Sequence, residues 1–190
     1  MTGERFYTVF ETVAGFAAIG WNGTGINSFR LPAGTAGEAE RALLRRLPDA
    51  RAVVPPSPVQ AVINQALRYF AGERVDFAAV PVDLGPQQPF FERVYTAVRR
   101  LGWGETATYG AIAKLLDAGP EFARDVGQAM AANPVPLIIP CHRVTAANGR
   151  IGGFSAPGGS HSKAQMLAIE GVEVRDGVVT RDVPQLGLGF

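Results

Sequence analysis

The run Pro140-Cys141-His142-Arg143-Val144 carries the residues best suited to chemistry, and Cys141 is the single cysteine in 190 residues. A thiol attacks as its thiolate, and cationic or basic neighbours raise the thiolate fraction. His142 and Arg143 follow it directly, so the sequence predicts a nucleophile in a basic microenvironment. The apolar run Val135-Pro136-Leu137-Ile138-Ile139 reads as a buried strand ended by Pro140, a rigid base for the thiol. A lone cysteine is most often an inert small core residue. The adjoining His-Arg pair argues against that reading, because charged groups resist full burial.

The remaining chain must position this run, and its composition limits how. With 47% hydrophobic and 18% charged residues it can build a true core. No apolar run is long enough to span a bilayer, and Met1-Thr2-Gly3-Glu4-Arg5 lacks a secretory pattern, so a cytoplasmic protein without a membrane partner is expected. One cysteine precludes an internal disulfide framework and suits a reducing compartment. Together with two histidines, His142 and His161, it is too few for the usual Cys/His set of structural zinc, so no metal or cofactor is expected. A net charge of +1 neither supports nor excludes nucleic-acid binding, so any DNA contact must use a local patch.

Phe6 to Leu31 reads as an antiparallel meander, broken at Gly15 and at Asn22-Gly23, followed by a helix over Gly37 to Leu47. Pro55-Pro56-Ser57-Pro58 breaks the chain, with Ser57 as a candidate helix cap and Pro58 at the first helical position. The periodic set Val59, Val62, Ile63, Ala66, Leu67 and Phe70 then runs to Gly72. Gly85-Pro86 marks the expected domain boundary, giving domains 1–85 and 86–190. The second half predicts a helix over Gln87 to Leu101, then two short helices, Tyr109 to Leu116 and Glu121 to Ala132, around Asp117-Ala118-Gly119-Pro120. That pair fits a helix-turn-helix, as it fits a helix-packing hairpin. The Gly-rich stretch Gly152 to Ser160 lacks a Gly-Lys-Ser/Thr ending, which excludes a triphosphate-binding loop. A last helix over Ser162 to Ile169 and a small hairpin around Asp176-Gly177 are expected, with His161 in a surface loop and a fraying tail to Phe190.

Pro140-Cys141-His142-Arg143-Val144 matches the signature of the O6-alkylguanine-DNA alkyltransferases, also called methylated-DNA–protein-cysteine methyltransferases. Thr108-Tyr109-Gly110, Arg124-Asp125-Val126-Gly127-Gln128-Ala129, Asn133-Pro134 and Leu167-Ala168-Ile169-Glu170-Gly171 resemble the family in order and approximate spacing. The resemblance is strong over residues 86–172 and only architectural over 1–85. It implies an α+β fold: a ribonuclease H-like sheet-and-helix domain, then a mostly helical, winged-helix-like domain with a helix-turn-helix. It implies a suicide repair protein, monomeric in solution, that binds duplex DNA containing O6-alkylguanine through the minor groove and flips the damaged base. Cooperative assembly on DNA is left open.

The resemblance also implies roles. Cys141 is the alkyl acceptor, and His142 takes its proton through a water. Glu170 orients the imidazole, Tyr109 helps the leaving guanine gain a proton, and Asn133 braces the turn that holds the cysteine. Arg124 fills the gap in the base stack, with Gln128 and Ala129 on the DNA-facing helix. Val144, Ser155, Pro136 and Phe154 line the guanine pocket. Three departures stand out. Asp125 sits where the family commonly has a small residue, and a carboxylate repels phosphates. Phe154 replaces a tyrosine common in the family, and Ala156-Pro157 lengthen the pocket loop. The cysteine sets the chain apart from alkyltransferase-like proteins that bind lesions without repairing them. The alternatives are a non-catalytic lesion binder and a cysteine hydrolase, the latter disfavoured because hydrolase Cys-His pairs usually come from distant parts of the chain.

Overall fold

The structure, a computed structural model, describes residues 3–180. The fold is mixed α+β. Its contacts divide the chain into two units, Met1–Pro86 with Pro134–Ile138, and Gln87–Asn133 with Ile139–Phe190.

In the first unit, β1 (Phe6–Thr12), β2 (Gly15–Trp21) and β3 (Ile26–Ala33) form the antiparallel meander. Gly15 makes the first turn at φ 118°, where a Cβ would stand 2.4 Å from the Ala33 carbonyl oxygen, so no other residue fits there. Helix α1 (Ala36–Leu44) opens with a capping box: Thr35 accepts from the Glu38 amide and Glu38 reaches back to Thr35. It buries Ala39 and Leu43 against Tyr7 and Ala18 of the sheet. The short β4 (Arg51–Ala52) then adds beside β1 in parallel, giving the order β3-β2-β1-β4. Helix α2 (Ser57–Phe70) buries Val59, Val62, Ile63, Ala66, Tyr69 and Phe70, the period expected from the sequence. Its cap position is Pro56 rather than Ser57, and no side-chain bond closes that end. Pro58 therefore stands one place deeper than expected, still inside the first turn, where its missing N–H costs nothing.

In the second unit, α3 (Pro89–Val98) buries Val94, Tyr95, Ala97 and Val98. Strand β5 (Ala107–Thr108) leads into α4 (Tyr109–Leu115), whose cap Thr108 accepts from the Ala111 amide at 3.0 Å. A 3-10 turn over Pro120–Phe122 leads into α5 (Ala123–Ala132). The pair β5 and β6 (Val144–Thr145) is parallel. Helix α6 (Ser160–Ile169) starts earlier than the sequence suggested and includes His161, which is exposed on the helix rather than in a loop. The hairpin at Asp176-Gly177 forms as β7 (Val174–Arg175) and β8 (Val178–Val179). The tail expected to fray, from 181 onward, lies outside the described residues.

The run before the cysteine differs from expectation. Val135, Leu137, Ile138 and Ile139 are buried, yet they form a tight turn with Leu137 at φ 79° rather than a strand. Pro134 and Pro136 offer no N–H to a ladder, which removes the donors a central strand needs. The Pro134 carbonyl instead accepts from the Phe29 amide at 3.0 Å, which ties the segment to the first unit.

Candidate active site

The site is built around one tight loop. Pro140, at φ −77° and ψ 65°, makes an inverse γ-turn that closes with a 2.7 Å bond from the Cys141 amide to the Ile139 carbonyl. Cys141–Arg143 then form a single 3-10 turn. Asn133 stands at the end of α5, buried, and its Nδ2 donates to the Ile139 carbonyl at 2.9 Å. The same side chain hydrogen-bonds the Cys141 sulfur. One amide thus holds both the loop and the thiol.

Burial pushes the Cys141 thiol above its ordinary value; the Asn133 bond, the Lys163 charge and two backbone amides act against it. The resting cysteine is a protonated thiol that requires a base. The basic microenvironment expected from His142 and Arg143 is not what the structure builds. Arg143 turns its guanidinium to Glu170, with Nε at 2.8 Å from Oε2 and one terminal nitrogen at 2.9 Å from Oε1, and bonds the Leu101 carbonyl with the other. The cation near the sulfur is Lys163.

His142 is fully buried, with Nε2 at 2.6 Å from Glu170 Oε1. Burial pushes its imidazole below the ordinary range, against the pull of Glu170. A neutral ring that donates Nε2–H to the carboxylate presents Nδ1 as its basic nitrogen. Burial alone would push the Glu170 carboxyl up, but His142 and Arg143 more than offset it and hold it down at about 2. The Gly104 amide adds a bond to Oε2 at 3.1 Å. Gly104 sits at φ 73°, and a Cβ there would lie 3.0 Å from the Glu170 carbonyl oxygen, so only glycine lets the backbone approach this closely. Glu170 is therefore a fixed anion with a guanidinium, an imidazole and an amide around it.

Lys163 has no exposed surface. Its ammonium donates to the Val144 carbonyl at 2.6 Å and lies 5.7 Å and 5.8 Å from the ring centres of Tyr109 and Phe154. Burial lowers it to about 8, while the Cys141 charge favours its protonated form. Tyr109 is raised above its usual value, first by burial and then by the Cys141 charge.

Cys141 opens on a cavity of about 820 Å³. Tyr109 and Gly110 of α4, Ala123, Arg124 and Gly127 of α5, and Phe154 and Ser155 of the glycine-rich loop line it. Gly152 enters that loop at φ 71°, and a Cβ on it would meet the Tyr109 hydroxyl at 3.4 Å. Ser155 Oγ reaches the Ala131 carbonyl at 3.4 Å, a long contact that ties the loop to α5.

Residues 89–172 match the family model described as 6-O-methylguanine DNA methyltransferase, DNA binding domain. The chain is 45% identical over 103 residues to a methylated-DNA–protein-cysteine methyltransferase of Metallosphaera sedula, covering 54% of this chain and 62% of that one. It is 42% identical over 124 residues to the Sulfolobus acidocaldarius protein of that name, covering 65% and 75%. It is 41% identical over 132 residues to a DNA base-flipping protein of Thermus thermophilus, covering 70% and 84%. The chain belongs to the methylated-DNA–protein-cysteine methyltransferase family. Among solved structures, the Mycobacterium tuberculosis O6-methylguanine methyltransferase superposes with a TM-score of 0.68 at 28% identity, over 90% of this chain and 96% of that one. A complex of the Mycobacterium tuberculosis protein with DNA gives 0.67 at 29%, over 87% and 93%.

For a member of this family, several residues expected at the site lie elsewhere. Ala129 is fully buried on the inner face of α5, where its carbonyl accepts from the Tyr95 hydroxyl at 3.0 Å, so it presents no surface to DNA. Gln128 is exposed but does not line the cavity. Val144 is buried, and its carbonyl is occupied by Lys163. Pro136 sits in the buried turn and is not part of the cavity wall. Asp125 falls in the first turn of α5, off the cavity wall, where the helix dipole favours a carboxylate. Lys163 was the residue missed. Its signal was present: Lys163, Met166, Leu167 and Glu170 follow the i, i+3, i+4, i+7 pattern of a buried helix stripe, and a lysine that opens such a stripe is out of place unless it is used.

Proposed function

We propose that the chain removes the alkyl group from O6-alkylguanine in DNA and keeps it on Cys141, one group per molecule. The observation that carries this is the buried thiol held by Asn133, at the floor of a cavity large enough for a base, with a neutral imidazole behind it and a cation beside it. Tyr109–Leu115 and Ala123–Ala132 act as a helix-turn-helix, and Arg124 at the cavity rim takes the place of the extruded base. A flipped guanine enters between the α4–α5 pair and the glycine-rich loop. The sheet-and-helix first unit is read as ribonuclease H-like, and the protein as a monomer in solution.

His142 receives the thiol proton, through a water, while the Lys163 charge stabilises the thiolate as it forms. The sulfur attacks the alkyl carbon in line with O6. The S–C bond forms as the C–O6 bond breaks, and its electron pair passes into the guanine ring. Tyr109 delivers a proton to the ring, so that guanine leaves neutral. His142 then gives up its proton to water and Tyr109 regains one from water, so the net change is one alkyl group from oxygen to sulfur and one proton from sulfur to guanine. Nothing in the site cleaves the thioether, hence the single turnover.

Mass spectrometry of the Cys141 peptide after mixing with an O6-methylguanine duplex tests this. The expected result is one added CH2 on that peptide, saturating at one equivalent, and none in Cys141→Ser. The Thermus thermophilus relative named as a base-flipping protein supports a second reading, a lesion binder. Tight duplex binding with an unmodified Cys141 would establish that reading and sink the first.

A further inference from the structure

The charges on the helix pair do not by themselves favour DNA. Residues 109–132 hold two cations, Lys114 and Arg124, against three carboxylates, Asp117, Glu121 and Asp125. Glu121 and Asp125 flank Arg124 at the start of α5. Carboxylates repel a phosphate strand laid beside them, and in the proposed function Arg124 is taken up by the base stack. A protein that extrudes a base here needs a cation from another element at the cavity.

The turn from Ala146 to Arg150 holds one. Ala146 and Ala147 line the cavity. The Ala146 amide donates to the Arg150 carbonyl at 2.7 Å, which closes the turn. The β7–β8 hairpin braces it: Arg150 bridges to Val178, the Ile151 amide donates to the Gly177 carbonyl at 2.9 Å, and a Cβ on Gly149 would stand 3.2 Å from the Val179 carbonyl oxygen. The backbone of Arg150 is thus fixed from both sides. Its own conformation is extended, at φ −62° and ψ 132°. Ile151 is buried with Leu167 and Val172, so the alternation of side chains turns Arg150 outward, where it is exposed. Among the described residues its guanidinium makes no hydrogen bond or ion pair, whereas Arg175 on the same hairpin is held by Glu173. Two residues after Arg150, a Cβ on Gly152 would lie 3.4 Å from the Tyr109 hydroxyl and 3.6 Å from Ala146 Cβ, so the chain runs from Arg150 directly onto the cavity wall.

We infer that Arg150 is a positioning residue that binds a DNA backbone phosphate flanking the extruded nucleotide, an inference that rests on the proposed function. Two residues of chain span at most about 7 Å, and successive phosphates of one strand lie about 3.4 Å apart along the axis. The phosphates that border a base in the cavity are therefore within reach of this side chain. A guanidinium fork takes two oxygens of one phosphate. Such a contact holds the strand in register while the base is out, and it carries no sequence information.

The test is binding of the full chain to an O6-methylguanine duplex against salt, with Cys141→Ser throughout so that no transfer intervenes. Arg150→Gln is expected to lower the slope of log K on log salt by about one and to weaken binding about fivefold at 0.15 M salt. Arg150→Lys keeps the slope. Arg175→Gln removes the same charge from the hairpin and is expected to change neither quantity. Melting temperatures should stay the same in Arg150→Gln, because the side chain supports no contact of the fold. In a second arm the two phosphates flanking the lesion are replaced, one at a time, by neutral methylphosphonates; at one of them Arg150→Gln no longer weakens binding. An unchanged slope in Arg150→Gln, an equal loss in Arg175→Gln, or a loss that persists with both methylphosphonates overturns the inference and leaves the proposed function standing. No duplex binding by the Cys141→Ser protein overturns both.

Discussion

Lys163 is where charge and burial meet most directly. An ammonium without solvent is costly unless something nearby needs its charge, and the nearby need is the Cys141 thiolate. Replacement of Lys163 by Met keeps the bulk and removes the charge. The Cys141 thiol should then titrate at higher pH, and the single-turnover rate should fall at least tenfold, about 1.4 kcal/mol or more in barrier. Thiol alkylation rates against pH and rapid-quench transfer to an O6-methylguanine duplex read the two effects. An unchanged thiol titration with a lost fold would mean that Lys163 serves only to cap the Val144 carbonyl.

The decisive elements are the Pro140 turn and the end of α5 that holds it. Asn133 donates to the Ile139 carbonyl and to the sulfur, and both lie in a buried setting. Asn133→Ala removes one of the two hydrogen bonds to that carbonyl, which keeps the Cys141 amide; it should cost about 0.5–1.5 kcal/mol in unfolding free energy by denaturant titration and raise the thiol further. Asn133→Asp should be worse for transfer, because a second negative charge opposes the thiolate. Gly104→Ala forces a Cβ against the Glu170 carbonyl in a backbone region that only glycine adopts freely. It should cost more than ~1 kcal/mol of stability and disturb the His142–Glu170 pair, seen as a shifted imidazole resonance.

At the level of the whole molecule, the Glu170 cluster links stability to pH. The folded carboxyl is held at about 2 against an ordinary value of 4.5. A depressed carboxylate stabilises the fold above its unfolded value, and that contribution is lost as pH falls through the folded value. The unfolding free energy should therefore decline from about pH 5 toward pH 2, by on the order of 3 kcal/mol from this group. Glu170→Gln should be less stable at neutral pH, with a flatter acid limb. Equal acid limbs in the two proteins would show that other carboxylates carry the transition. The net charge of +1 gives little long-range attraction for DNA, so in the proposed function affinity rests on local contacts, with Arg124 on the cavity wall as the proposed one.

The sequence by itself determined the family and most element types, and it singled out Cys141 as the proposed nucleophile. A unique cysteine inside a linked set of motifs leaves few readings, and periodic runs such as Val59 to Phe70 report a buried helix face directly. It could not reveal where side chains turn. Arg143 follows the cysteine in the chain yet bonds Glu170, 27 residues on, whereas the cation that bears on the sulfur comes from Lys163 on α6. Nor could it tell the buried turn at Leu137 from a strand, because apolar composition reports burial whereas backbone path depends on which N–H groups find partners. Ala129 shows the same limit: helix position was legible, but which side of α5 meets the core was decided by packing against Tyr95. Charge, burial and hydrogen bonding act through space, and only the tertiary structure sets those distances.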